Sequence, residues 1–69
     1  MNPQLLRNLW SLVERSQSGH LLALDDSSLV SWLLEQFTGQ QPINQTETEQ
    51  LHGYIRAKIP LIRDIAQGR

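Results

Sequence analysis

The sequence contains no cysteine, which removes a disulfide framework, a thiolate zinc site and a thiol nucleophile together. A small chain without such staples fits a reducing compartment better than an oxidising exterior. Long hydrophobic runs are missing as well. The longest, Leu21 to Leu24, is far short of the roughly 20 apolar residues that span a bilayer. The opening MNPQLLRNLW has neither the charged nor the apolar region of a secretory signal, so a cytoplasmic location is expected. Charge of one sign is also absent. Six basic and seven acidic side chains leave a net charge of -1, and the chain has no general attraction to phosphate or anionic lipid. Aromatics are scarce: two Trp, one Tyr and one Phe.

What remains is short and leucine-rich. Sixty-nine residues make one domain, residues 1–69. A domain of this size buries only roughly 60% of the surface its unfolded chain exposes. Twelve Leu and eight Gln dominate, against two Val. Unbranched side chains lose little rotamer freedom in a helix, whereas a sheet favours β-branched ones. The expected fold is all-α, a small three-helix bundle.

The first helix is expected from Pro3 to Ser16 or Gln17. Asn2 serves as its N-cap, and Pro3 sits where a missing N–H costs nothing. Leu5, Leu6, Leu9, Leu12 and Val13 form one apolar stripe at about 100° per residue, with Trp10 at its edge. Gly19 is placed for a left-handed C-terminal cap. Leu21, Leu22 and Leu24 are too apolar for a loop wholly in water, and read as a short turn or as a prefix to the second helix. That second helix is expected from Ser27 to Thr38, capped by the pair Asp25 and Asp26. Leu29, Val30, Leu33, Leu34 and Phe37 form its stripe, Trp32 lies on the flank, and Gly39 with Pro42 ends it.

Two capping boxes compete for the third helix, Asn44 with Glu47 and Thr46 with Glu49. Leu51, Tyr54, Ile55, Ile59, Ile62, Ile65 and Ala66 keep one helical phase. Pro60 interrupts it, so the helix is either kinked there or broken into two.

Along LDDSSLVSWLLEQ (residues 24–36) and YIRAKIPLIRDIAQGR (residues 54–69) the chain resembles a group of small uncharacterised cyanobacterial proteins. The resemblance implies a bacterial, cytoplasmic protein. It carries no functional residues with it.

Chemistry-bearing patterns are few. There is no Gly-rich phosphate loop and no GxSxG elbow. His20, Asp25, Asp26 and His52 lack metal-ligand spacing, and the Asp pair is explained by capping. Ser18, His20 and Asp25 near one loop read as caps and turn formers rather than a nucleophile relay. No enzyme, cofactor or metal is expected.

Trp10 and Trp32 at the stripe margins either lid an undersized core or extend into an interface, where Trp is enriched. Surplus apolar residues (Leu21, Leu22, Leu24, Leu61) point toward oligomerisation. On the third helix His52, Arg56 and Arg63 fall within about 40° of one another, with Lys58 elsewhere and Arg69 at the tail. Residues 52–69 carry +3, against -4 for residues 1–51. This face is either simply solvated, or docks an acidic protein surface or an anion, or contacts nucleic acid.

The expected function is therefore a non-enzymatic protein-interaction module. It would be an adaptor or regulatory subunit pairing with itself or another protein, with His52, Arg56, Arg63, Trp10 and Trp32 as candidate partner-binding residues. The alternative is a helix-turn-helix-like nucleic-acid binder reading with the C-terminal helix. A sequence pI near 6.0 disfavours nucleic acid, and so does a connection after Phe37 longer than the usual 3–4-residue turn. No membrane association is expected.

Overall fold

The computed structural model describes residues 2–68. Within them all regular structure is helical and there is no strand. Four helices form rather than the expected three: α1 (Pro3–Arg15), α2 (Ser18–Ala23), α3 (Asp26–Gln40) and α4 (Gln45–Gln67). The additional element is α2. The leucine-rich segment is neither a turn nor a prefix to the next helix, because Gln17 before it and Leu24 after it are both extended.

Local chemistry sets most boundaries. Asn2 accepts from the Gln4 N–H at 2.8 Å, and Pro3 opens α1. The α1 terminus falls to Ser16, not Gly19. The Ser16 N–H reaches the Leu12 and Val13 carbonyls, and its hydroxyl donates to Leu12 O at 2.7 Å. Asp25 alone caps α3, accepting from the Ser28 N–H at 2.8 Å. The hydrogen bonds from the Ser28 hydroxyl and N–H hold the Asp25 carboxyl below the ordinary aspartate range.

The second helix also runs further than its glycine suggests. Gly39 lies inside α3, and Gln41 closes the helix by donating its N–H to Phe37 O, with Pro42 following. No glycine among the described residues adopts positive φ, so neither Gly19 nor Gly39 is a left-handed cap. Of the two candidate boxes, Asn44 with Glu47 forms. Glu47 N–H donates to Asn44 Oδ1 at 2.7 Å, and Glu47 Oε1 accepts from Asn44 N–H at 3.2 Å.

Pro60 does not break α4, which is one helix of 23 residues. Pro60 and Arg56 are both exposed, so the Arg56 carbonyl that lacks its usual N–H partner is on the solvent side.

All four helices contribute to one core. Leu5, Leu9, Leu12 and Val13 meet Leu21, then Leu29, Val30, Leu33 and Phe37, and Leu51, Ile55, Ile59, Ile62 and Ala66. None is more than 4% exposed. The stripes are narrower than their periodicity suggests, since Leu6, Leu34 and Ile65 remain half-buried. α4 is the central element, packed by both α2 and α3, while α1 lies against α3.

Candidate interaction surface

The five residues singled out from sequence end in different surroundings. Trp10 is half-buried, and its indole N–H donates to the Tyr54 hydroxyl at 3.0 Å. Their rings meet edge to face at 6.2 Å, and Lys58 Nζ lies 5.8 Å from the centre of the Tyr54 ring. This tryptophan joins α1 to α4 and satisfies its polar atom inside the molecule, as a half-buried indole requires.

The basic stripe does not stay uniform. His52 and Arg56 are exposed. Arg63 instead turns toward the α2–α3 junction. Its guanidinium donates to Leu21 O at 3.3 Å, to Leu24 O at 2.8 Å and to Asp26 Oδ1 at 2.9 Å. Leu21 is in the last turn of α2 and Leu24 is its C-cap, so these are carbonyls that a helix end leaves without partners. Arg63–Asp26 is the single ion pair among the described residues. Arg69 lies outside them.

Trp32 has the most open setting. It is half-buried against the core and packs against His20, with ring centroids 4.5 Å apart and planes inclined by 61°. The pair forms a ridge between α2 and α3 with a depression of about 370 Å³ on each side. The α1 side is lined by Leu12, Arg15, Ser16, Gln17 and Gln36 in addition to the ridge. The other side presents Leu24, Ser27, Ser28, Ser31 and Glu35. The first wall carries a guanidinium and no carboxylate; the second carries a carboxylate and hydroxyls.

Arg15 is held but not neutralised. Its Nε donates to Ser11 O at 3.3 Å and its Nη2 to Gln40 Oε1 at 3.0 Å. Both partners are neutral and line a further depression between α1 and the end of α3, so Arg15 borders both depressions and has no counterion among the described residues. Sequence reasoning missed Arg15 and His20 as surface partners of Trp32. The signal was weak, because only the separate helix α2 brings His20 onto the Trp32 ring.

Of the surplus leucines, Leu21 is fully buried and Leu24 half-buried, while Leu22 and Leu61 stay 38% and 45% exposed. No helix among the described residues is long and apolar enough to cross a membrane. No group of three or more His, Asp or Glu among them is placed to hold a metal ion. No known protein family, curated protein or solved structure matches the chain.

Proposed function

We propose that this chain is a small non-enzymatic protein-interaction module, an adaptor or regulatory subunit that pairs with a second protein or with itself in a bacterial cytoplasm. The observation that carries the reading is Trp32, a large aromatic left half-exposed on a ridge with open depressions on both sides. Aromatic anchors of this kind supply a large share of interface energy. The exposed Leu22 and Leu61 add apolar area that a domain this small can cover by association.

One observation favours nucleic-acid recognition as a second reading. Because α3 continues to Gln40, the α3–α4 connection is residues 41–44, a length that helix-turn-helix units use. Electrostatics oppose it. A recognition helix reads bases with its N-terminal residues, and here that end carries Glu47 and Glu49. Arg63, one of the few cations on α4, is engaged with α2 and α3.

The test compares wild type with Trp32→Ser, both shown folded by thermal melts. Sedimentation equilibrium from micromolar to millimolar chain is run beside affinity capture from cell extract and titration of labelled duplex DNA at two salt concentrations. Self-association or a captured protein that depends on Trp32 supports the module. A strictly monomeric chain that retains the same proteins with and without Trp32 overturns it. Salt-sensitive DNA binding transfers the assignment to the second reading.

A further inference from the structure

We infer that the depression on the α1 side of the His20–Trp32 ridge docks an acidic segment of a partner protein, with a carboxylate on Arg15 and His20 and an apolar side chain on Trp32. The inference rests on the interaction-module reading and names the surface and the partner chemistry. Three observations carry it. Arg15 keeps N–H donors beyond the two used by Ser11 O and Gln40 Oε1, and it has no ion pair among the described residues. His20 stands exposed on the opposite element of the same wall, and no Asp or Glu lines this depression. Leu12 is buried and Trp32 and Ser16 are half-buried at this depression, while Arg15 and His20 at its edge are exposed.

This combination discriminates by sign. A carboxylate meets a planar guanidinium fork with two-point geometry, while a Lys or Arg from the partner meets only like charge. The arrangement across the ridge is of the opposite polarity, because Glu35 and the serines line that side. A partner segment that is acidic, then apolar, then basic or hydroxyl-bearing therefore matches the surface in one direction only. The depression is open and shallow, which suits a protruding side chain better than an enclosed small molecule.

The probe is a short synthetic peptide in which glutamates flank a leucine, with a lysine-for-glutamate counterpart, titrated into isotopically labelled chain and followed by amide and indole NMR shifts. Saturable shifts at Trp32 and His20 are expected with the glutamate peptide. Affinity should fall about tenfold for the lysine peptide and for Arg15→Gln. Arg15→Lys, which keeps the charge but loses the fork, should fall between, and Arg7→Gln, exposed on α1 away from the depression, should match wild type. Unchanged amide spectra of the free variants establish that they fold.

The inference is overturned by equal binding of the two peptides, or by no saturable shift with wild type. Shifts centred on His52 and Arg56, or shifts at the ridge that follow chain concentration without peptide, overturn it too. The last of these would make a second copy the occupant. If the peptide fails while a protein is still captured through Trp32, only the acidic-segment assignment falls. If both fail, the module reading falls with it.

Discussion

Arg63 shows how one side chain changes meaning once its neighbours are known. By periodicity it belongs with His52 and Arg56, and all three read as one basic stripe. In the fold its guanidinium holds two carbonyls at the end of α2 and the Asp26 carboxylate at the start of α3. A charged donor on otherwise unpartnered carbonyls contributes more than an exposed ion pair does. Arg63→Ala should therefore lower stability by about 1–3 kcal/mol in urea melts. Arg56→Ala, on exposed surface, should stay within about 0.5 kcal/mol of wild type. Equal shifts for the two variants would remove the clamp at the α2–α3 junction. Trp10 makes the same point more gently, since its N–H is already taken by Tyr54 and less of its chemistry is left for a partner.

The helices illustrate which terminators dominate. Glycine is a good stop only where the chain must turn left-handed, and nothing here requires that. Ser16 and Gln41 end α1 and α3 with their own hydrogen bonds, so Gly19 and Gly39 are absorbed as ordinary helical residues. The consequence is a test of sign. A Cβ added at Gly39 would meet no atom within 4 Å. Gly39→Ala should then raise stability by about 0.5–1 kcal/mol, through higher helix propensity and a less flexible unfolded chain. A loss of stability in thermal melts would instead place Gly39 in a left-handed cap. In α4 the helix continues through Pro60, which lies with Arg56 on the exposed face, while Ile55, Ile59 and Ile62 remain in the core on the other side.

The whole molecule has little stability to spare. A radius of gyration of 11.2 Å over a chain of this length is close to the about 11 Å of an ordinary folded domain. Total stability should nevertheless be only about 3–10 kcal/mol. Leu33 is fully buried in α3 within the core shared by all four helices. Leu33→Ala should cost about 2–5 kcal/mol, which matches the whole stability at the lower end of that range. A denaturant midpoint shifted by less than about 1 kcal/mol would show that the site collapses around the smaller residue and that the core is loosely specified.

Composition and periodicity were enough to determine an all-helical chain, the inward face of each long helix, the cap at Asn2, and the caps of the later helices to within the pairs Asp25 or Asp26 and Asn44 or Thr46. These are local matters: a cap needs an oxygen two or three residues from an amide, and a stripe needs only the helical repeat. The number of helices was not local in that sense. Whether residues 18–23 coil into a helix depends on burying Leu21 against α4 and on Arg63 receiving the carbonyls at its end, both contacts across about 40 residues of chain. The ridge is of the same kind. Trp32 was legible as a marginal aromatic, but its pairing with His20 and the unneutralised Arg15 beside it exist only because α1, α2 and α3 converge there. Sequence sets what each helix offers, and packing alone decides which offers meet.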